Sequence, residues 1–377
     1  MGRTDLAALI AALGPGNARY VGGAVRDTLL GLPVKDVDIA TPLRPDAVTE
    51  RLAAAGIKVV PTGIEHGTVT AVLPQGPAEI TTLRRDVTTD GRRATVAFAE
   101  DWREDAARRD FTINALYADP ITHEIHDYFN GLADLAERRV RFIGDARQRI
   151  REDHLRILRY FRFQARFGSD HIDTEAELSC RELAATLKGL SRERIAMELL
   201  NLLALPDPGP AIRRMHELGV LPVILPEANP AALPPLITAE TTQGIAPDPV
   251  RRLAALLPPD PALTEAVASR FRLSGAQKKR LALAAARTPG EAPRALAYRH
   301  GRESAIDRLL LSGARIAPLQ GWDIPRFPLK GGDIVARGIS AGPEVARVLQ
   351  AVEAHWVAEG FPDAARVAVL LEETLTD

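Results

Sequence analysis

The sequence changes character at about Asp145, and this change constrains the fold more than any other feature of its 377 residues. Before Asp145, short apolar segments alternate with turns and helices, which is typical of a small mixed sheet. The predicted strands are Arg19–Val21, Val37–Ala40, Val69–Leu73, Ala78–Thr82 and Ile113–Tyr117. After Asp145 one helical segment follows another, and the predicted helices include His154–Phe167, Arg192–Leu203, Glu265–Leu273 and Pro343–His355. The sequence therefore predicts an α+β fold, with a mixed-sheet head followed by an all-α C-terminal half.

A chain of this length is too long for one compact core, so we expect two to four domains. Proline clusters punctuate the helical part and are candidate boundaries, at Leu205–Pro210, Leu221–Pro235, Ala246–Pro261 and Pro325–Pro328. We divide the chain into four predicted parts, which are a head (1–144), a helical neck (145–210), a helical body (211–290) and a helical tail (291–377).

Charge is distributed unevenly along the chain. Lys and Arg together number 48 against 49 Asp and Glu, and a net charge of −1 by itself argues against a nucleic-acid binder. Between Arg138 and Arg166, however, ten arginines stand against three acidic residues, which leaves +7 in one stretch. We expect polyphosphate or RNA to bind there. Aromatic residues make up only 5%, so platforms for base stacking are sparse.

The cysteine content and the N-terminus indicate the compartment. Cys180 is the only cysteine, so no intramolecular disulfide can form and no oxidising environment is required. The segment from Met1 to Gly16 is interrupted by Asp5 and lacks a cleavage site, which favours an amphipathic first helix over a signal peptide. We therefore expect a cytoplasmic protein without a membrane partner.

A glycine pair, Gly22-Gly23, follows the first predicted strand and opens a helical segment. Such a junction exposes backbone N–H groups and the positive end of a helix, which favours phosphate. Arg26 places a guanidinium nearby. Taken alone, a glycine pair is most often a turn.

Two carboxylates follow this helical segment. It ends at Gly31-Leu32-Pro33, and Asp36 and Asp38 then stand two residues apart, which on a strand places both on one face. Carboxylates so placed repel each other unless they share a cation, and hard oxygen ligands suit Mg²⁺. A lone D-x-D is mostly a solvated loop, but its position after the glycine pair favours a metal site.

The run from Gly22 to Asp38, GGAVRDTLLGLPVKDVD, closely resembles the first motif of the class II tRNA nucleotidyltransferases (CCA-adding enzymes) and bacterial poly(A) polymerases, in the polymerase β superfamily. Further segments resemble the later motifs and a tail signature of this family, namely Arg108–Leu116, Asp127–Leu135, Glu152–Arg156 with its continuation through Phe163, Ser191–Leu203, and Leu329–Ile334. The resemblance is detailed between Tyr20 and Leu203 and loose beyond.

This resemblance implies a polymerase-β-type nucleotidyltransferase head, a neck that recognises the nucleotide base, and a body and tail that bind RNA. It implies that Asp36 and Asp38 are the catalytic carboxylates and hold Mg²⁺. Four residues are implied to bind the nucleotide, with Gly23 and Arg26 at the triphosphate and Arg109 and Asp110 at the sugar–phosphate part. Chemically, an arginine offers charged donors to phosphate, and an aspartate accepts from a ribose hydroxyl.

The fourth motif predicts how the base is selected. Asp153, Arg156 and Arg159 are spaced by three and are expected to line one side of a helix, with Arg162 and Arg166 continuing the row. A carboxylate beside a guanidinium matches the Watson–Crick edges of cytosine and adenine. Uracil and guanine present a carbonyl where the amine should be, which leaves polar groups unpaired. We therefore predict that Asp153, Arg156, Arg159 and Arg162 bind the nucleotide and that C and A are selected without a nucleic-acid template.

Plainer interpretations exist for each segment taken alone. An E-D-x-x-R segment is often an intrahelical ion-pair ladder, and Arg108-Arg109-Asp110 can be a surface ion-pair cluster. Glu79, on a predicted strand, is equally typical of a third metal carboxylate and of a strand-face acid, and we do not include it in the predicted site. Asp90–Arg93 is predicted to be a turn in a loop that helps to position the nucleotide or primer.

The sequence thus predicts an Mg²⁺-dependent enzyme that adds CCA to the 3′ end of tRNA from CTP and ATP and releases pyrophosphate. Its expected partners are tRNA and the two nucleotides, with no DNA, and no oligomeric state is indicated. One alternative is a poly(A) polymerase, or a CC-only or A-only enzyme, of the same family. The other is a non-catalytic RNA-binding protein, against which the intact pair Asp36 and Asp38 argues.

Overall fold

The computed structural model describes residues 3–89, 94–287 and 290–376, and the predicted turn at Asp90–Arg93 lies outside them. The chain forms two compact units, residues 1–226 and 227–377. The division falls within the proline-rich segment Leu221–Pro235 that the sequence marks as a boundary.

The first unit contains a mixed seven-stranded sheet. Its strands are β1 (Arg19–Val21), β2 (Val37–Thr41), β3 (Lys58–Gly63), β4 (Thr68–Val72), β5 (Ala78–Thr82), β8 (Leu116–Ala118) and β9 (Ile125–Asp127), and a separate hairpin pairs β6 (Arg84–Thr89) with β7 (Ala94–Phe98). The strand order is β3-β4-β5-β2-β1-β8-β9, and only the β2–β5 pair is parallel. The predicted mixed-sheet head is confirmed.

Two strand predictions need correction. The expected strand Ile113–Tyr117 is a 3₁₀ turn over Thr112–Asn114 followed by a strand that starts only at Leu116. A shared face for Asp36 and Asp38 requires a strand through both, but β2 begins at Val37, as the predicted strand Val37–Ala40 does, and Asp36 lies just before it. Both differences follow from local turns that an apolar pattern does not reveal.

The helices of the first unit divide into those that contact the sheet and those that contact mainly one another. They are α1 (Asp5–Leu13), α2 (Gly23–Leu29), α3 (Pro45–Ala54), α4 (Trp102–Ala107), α5 (Gly131–Ala136), α6 (Ala146–Glu152), α7 (Arg156–Phe167), α8 (Thr174–Leu183), α9 (Arg192–Leu203), α10 (Gly209–Glu217) and α11 (Val220–Ile224), with further 3₁₀ turns at Ile64–His66 and Ala184–Gly189. The side chain of Asp145 caps α6 by accepting from the Gln148 amide at 2.7 Å, so the run of neck helices begins where the composition changes.

The core of the sheet decides which way the side chains of β2 face. Val37 and Ile39 of β2 pack into an apolar cluster with side chains from α1 and α3. Because side chains alternate along a strand, Asp38 lies on the opposite face. The burial of Val37 and Ile39 therefore leaves the carboxylate of Asp38 outside this apolar cluster.

Gly131, at the start of α5, is a close-approach glycine. A Cβ at this position would collide with the backbone carbonyl of Thr112 and with the side chain of Leu116. The hydroxyl of Thr112 also donates to Asp134 at 2.6 Å. These contacts join the third motif to the second and fix the segment that carries Arg109 and Asp110.

The regular elements described in the second unit are all helical. They are α12 (Leu233–Thr242), α13 (Pro249–Leu256), α14 (Pro261–Arg270), α15 (Gly275–Ala285), α16 (Pro293–His300), α17 (Arg302–Leu311), α18 (Gly331–Val335), α19 (Pro343–Ala358) and α20 (Ala364–Thr376), with 3₁₀ turns at Pro230–Ala232 and Ala317–Leu319. One apolar cluster runs from Leu236 to Leu319, and a second centres on Trp356 between α18, α19 and α20. The predicted all-α C-terminal half is confirmed.

Candidate active site

A cavity of about 550 Å³ in the first unit gathers the predicted chemistry. Nine of the ten predicted site residues line it, and only Asp36 does not. The lining consists of Gly22, Gly23, Arg26, Asp38, Arg84, Arg108, Arg109, Asp110, Asn114, Asp153, Arg156, Arg159, Arg162 and Phe163. A second cavity, of about 570 Å³, lies among α1, α2 and the β8–β9 hairpin, is mostly apolar and holds none of the predicted residues.

The two carboxylates of the first motif, Asp36 and Asp38, lie at the start of β2, and only Asp38 lines the cavity. Asp38 is half-buried, Asp36 is exposed, and Asp38 is the register partner of Glu79 on the parallel neighbour β5. Burial raises the pKa of Asp38, and the negative charges of Glu79 and Asp36 raise it further, while Arg109 opposes them. A carboxylate in a cleft whose pKa is raised by burial and by neighbouring charges is typical of a functional group. Glu79 is therefore close enough to affect Asp38.

The glycine pair begins α2 at the cavity wall. Gly22 has a φ of +67°, a conformation that favours glycine. The guanidinium of Arg26 is buried, donates to Asp27 at 2.8 Å and to the side chain of Asn114, and lies 4.1 Å from the ring centroid of Phe167. Burial lowers the pKa of Arg26, and the charge of Asp27 opposes this. The contacts hold the guanidinium in one orientation beside Gly23.

Arg109 is held from behind by the carboxylate of Asp105 on α4. Its Nη2 donates to Asp105 at 3.0 Å, and its Nε donates to the hydroxyl of Tyr117 at 3.1 Å. Tyr117 in turn donates to the same carboxylate at 2.6 Å, and Arg108 donates to it at 2.8 Å. This network fixes two arginines of the second motif in the cavity wall.

Asp110 connects the head to α7. Its carboxylate accepts from Arg159 at 2.8 and 2.6 Å, from Asn114 at 2.9 Å, and from the Phe111 amide at 2.9 Å. Burial alone would raise its pKa, but Arg159 and the hydrogen bond from Asn114 outweigh burial and lower the pKa to about 2. Asp110 is thus largely committed to protein donors.

Arg159 and Arg162 share a second carboxylate, Glu198 of α9. Glu198 lies 3.5 Å from Arg159 and accepts from Arg162 at 2.6 Å. The ring of Phe163 lies between the two guanidinium groups, 5.2 and 4.8 Å from them. The predicted row of arginines is therefore real, and each member is oriented by partners from another element.

The expected helical ladder of the fourth motif is wrong at its first member. Asp153 is extended, with φ −147° and ψ 106°, and stands between α6 and α7, whose first residue is Arg156 and not His154. Its carboxylate accepts from the Leu155 amide at 3.1 Å and from Arg194 at 2.8 Å. A short polar side chain that binds the backbone two residues on favours such a break over a continuous helix.

The side chain of Arg156 binds groups other than the carboxylate of Asp153. It donates to Glu152 at 2.7 Å and to the backbone carbonyls of Arg149 and Arg108 at 2.9 and 3.0 Å. Asp153 and Arg156 both line the cavity. The structure therefore brings the acceptor and the donor to one site through separate supports.

Sequence reasoning missed several residues of this site. Arg84, Arg108, Asn114 and Phe163 line the cavity, whereas Asp105, Glu198 and Arg194 orient its side chains. Arg108 adjoins Arg109, and Asn114 stands four residues after Asp110, so local spacing could have found both. Glu198 and Arg194 lie within Ser191–Leu203, which resembles a family motif, but local spacing does not reveal their partners, which lie 36 to 41 residues away in sequence.

Family models match the chain in two places. The Poly A polymerase head domain matches residues 18–141, and the domain described as the probable RNA and SrmB-binding site of polymerase A matches residues 171–232. The mouse CCA tRNA nucleotidyltransferase 1, mitochondrial, is 38% identical over 91% of this chain and 83% of its own length. This chain belongs to the CCA tRNA nucleotidyltransferase family.

Two further CCA-adding enzymes are similar to this chain. The CCA-adding enzyme of Leuconostoc citreum is 46% identical over 49% of this chain and 45% of its own length. The crystal structure of the Bacillus stearothermophilus CCA-adding enzyme in complex with CTP covers 99% of this chain and 97% of its own, at 27% identity and a TM-score of 0.75. The likeness to this CCA-adding enzyme therefore extends over both units of the chain.

Proposed function

We propose that this chain adds CCA to the 3′ end of tRNA, using CTP and ATP and releasing pyrophosphate. The observation that carries the proposal is the single cavity that joins Asp38 and the arginines of the second motif to the base-selecting residues of the fourth. Membership of the CCA tRNA nucleotidyltransferase family supports this specific reaction.

The carboxylates of the site fit Mg²⁺. The charges of Glu79 and Asp36 raise the pKa of Asp38, and a bound cation would relieve this crowding. Among the residues that the structure describes, no three His, Cys, Asp or Glu side chains form a metal site. Asp36 and Asp38 would therefore supply only part of the coordination shell, as is usual where Mg²⁺ also binds substrate phosphates. When bound, the metal would lower the pKa of the attacking hydroxyl and stabilise the leaving oxygens.

The remaining steps belong to the chain's own residues. The 3′-hydroxyl of the RNA attacks the α-phosphate, so the P–O bond to the β-phosphate breaks and pyrophosphate leaves. Arg109 and Arg26, beside Gly23, would neutralise charge on the triphosphate because their guanidinium groups are held in the cavity wall. Asp110 would take part at the sugar mainly by orienting Arg159, since its oxygens already accept four hydrogen bonds.

Selection of the base would fall to Asp153 and Arg156. A carboxylate that is ionised at neutral pH only accepts hydrogen bonds, so it accepts from the amine of cytosine or adenine and meets an oxygen in uracil or guanine. Arg156 would donate to the ring nitrogen beside that amine. Arg159 and Arg162 follow Arg156 along α7 and also line the cavity. We propose that they contact the nucleotide on the side opposite Asp153 and Arg156.

Binding of the tRNA is proposed for the helical parts. The match to an RNA-binding domain over residues 171–232 supports this for the end of the neck and the start of the body. We propose the same role for the rest of the body and for the tail, within the predicted bounds 145–210, 211–290 and 291–377. Charge-reversal variants of exposed residues such as Arg213 and Lys279 should weaken tRNA binding in a filter assay. The tRNA affinity of these variants should not depend more steeply on salt concentration than that of the unaltered chain.

The compartment is a separate matter. Within the described residues no helix is long and apolar enough to cross a membrane. The mouse, human and zebrafish relatives are named as mitochondrial. We keep the cytoplasm as our proposal, on the ground that the single cysteine is free and buried, and fractionation of cells with an antibody to the chain tests it.

The decisive experiment is an extension assay. The purified chain, Mg²⁺ and a tRNA transcript that lacks its last three nucleotides are incubated with each labelled nucleotide alone and then with CTP and ATP together. We expect growth by two nucleotides with CTP and by three with the pair. A long ladder with ATP alone would indicate a poly(A) polymerase, and no growth under any condition would indicate a non-catalytic RNA-binding protein.

A further inference from the structure

Asp105 is a carboxylate that is buried beside the nucleotide cavity. Its side chain is 1% exposed and lies on α4, a helix of six residues. Burial would raise its pKa, but the charges of Arg109 and Arg108 outweigh burial and hold the pKa far below the ordinary value. Such a group costs much free energy to bury unless its partners compensate fully.

The partners of Asp105 all lead towards the nucleotide cavity. One oxygen accepts from Arg108 at 2.8 Å and from the Arg84 amide at 3.2 Å. The other accepts from Arg109 at 3.0 Å and from Tyr117 at 2.6 Å. Arg84, Arg108 and Arg109 all line the cavity, whereas Asp105 and Tyr117 lie behind it.

The remaining donors of Arg109 point to what this arrangement does. Its Nε and Nη2 are engaged with Tyr117 and Asp105, so the guanidinium plane is fixed by two bonds in a closed triangle. Its Nη1 lies 3.5 Å from the position that a Cβ of Gly22 would occupy, at the opening of α2. The free edge of the guanidinium is therefore presented at the phosphate end of the cavity.

We infer that Asp105 is a positioning residue that fixes Arg108 and Arg109 to receive the pyrophosphate part of the incoming nucleotide. This inference rests on the proposed nucleotidyl transfer. Two arginines that face one cavity repel each other, and a shared carboxylate behind them offsets that repulsion before the substrate arrives. Donors that are already oriented lose no conformational freedom on binding, so the triphosphate gains affinity.

The same chain offers a matched control on the same helix. Asp101 caps α4 by accepting from the Arg103 amide at 2.9 Å, and its backbone precedes Asp105 by one turn. Asp101→Ala removes this cap and should lower the melting temperature without touching Arg108 or Arg109. If Asp105 served only to hold α4 in place, Asp105→Asn and Asp101→Ala would behave alike.

The test measures binding as well as turnover. Calorimetry is performed on the full chain with CTP, inorganic pyrophosphate and cytidine, and KM and kcat are measured on the truncated tRNA. We expect Asp105→Asn to weaken binding of CTP and pyrophosphate about 10- to 100-fold, since a charged hydrogen bond to each of two arginines is weakened. Binding of cytidine should change by less than about twofold, because cytidine carries no phosphate.

A second variant covers the case in which Asp105→Asn does not fold. Tyr117→Phe keeps the carboxylate and opens the triangle, so it should weaken pyrophosphate binding by about three- to tenfold, and Asp101→Ala should not weaken it. Unchanged pyrophosphate binding in the folded variants, or equal losses for cytidine and CTP, would overturn the inference. If the unaltered chain binds CTP but extends no tRNA, the proposed function fails while the binding comparison still decides the role of Asp105.

Discussion

The two ends of the nucleotide cavity are built differently. At the phosphate end, Asp105 is 1% exposed and Tyr117 is fully buried, and together they fix Arg109. At the base end, the ion pair between Asp153 and Arg194 leaves their side chains 30% and 34% exposed. The triphosphate is the same in CTP and ATP, whereas the base differs. Under the proposed assignment, a rigid arrangement would serve the constant part of the substrate, and a more exposed one would serve the part that varies.

The largest expected effect breaks the chemistry itself. Asp38→Asn should lower the rate of nucleotide incorporation at least about 10³-fold, because the carboxylate that we propose to be catalytic and to hold the metal is lost. Asp36→Asn should be similarly inactive. Incorporation by each variant is measured in single turnover, and exposed Glu50 on α3 supplies the control Glu50→Gln. Substantial activity in both aspartate variants would contradict the assignment of the metal site.

The next effect separates selection from phosphate binding. Asp153→Ala combined with Arg156→Ala should reduce discrimination against UTP by about 100-fold, because the partners of the amine and of the ring nitrogen are removed. The affinity for pyrophosphate should remain within about twofold, since Arg109 keeps its support. Incorporation of each nucleotide is measured in competition. Undiminished rejection of UTP in this double variant would refute the selecting role.

A third prediction concerns the ion pair of Asp110 and Arg159, which connects the second motif to α7. Because the pKa of Asp110 is held at about 2 and its ordinary value is 3.8, its contribution to stability is complete above about pH 4 and is lost as the pH falls towards 2. The difference in unfolding free energy between the unaltered chain and Asp110→Asn should therefore shrink by about 2 kcal/mol between pH 5 and pH 2. Urea titrations at each pH measure it. A difference that is constant over this range would mean that Arg159 does not stabilise the ionised form.

The smallest expected effect sharpens the contrast at the base end. Arg194→Gln removes the charge that orients Asp153 and should relax discrimination against UTP about tenfold, with little change in the rate for CTP. Arg192→Gln on the same helical turn is the matched control. Equal effects of the two substitutions would show that Arg194 acts only through the stability of α9.

The sequence could predict the fold class and most of the cavity, because both depend on local patterns. Arg192–Leu203 is a helix with the predicted bounds, and the glycine pair opens α2 as expected. The error at Asp153 arose because a spacing of three fits a helix equally well when a turn interrupts it. Asp105 is part of no recognised motif. Its role depends on a contact with Tyr117, which lies on β8, after the second motif in the sequence.

The most direct test of base selection lets the four nucleotides compete for addition to one tRNA. The full chain is supplied with a tRNA that lacks its last three nucleotides and with all four nucleoside triphosphates at equal concentration, and the new 3′ ends are sequenced. We expect CCA at nearly every end, because we propose that side chains of the cavity accept C and A and reject U and G without a template. Frequent U or G, or runs of A beyond the third position, would contradict it.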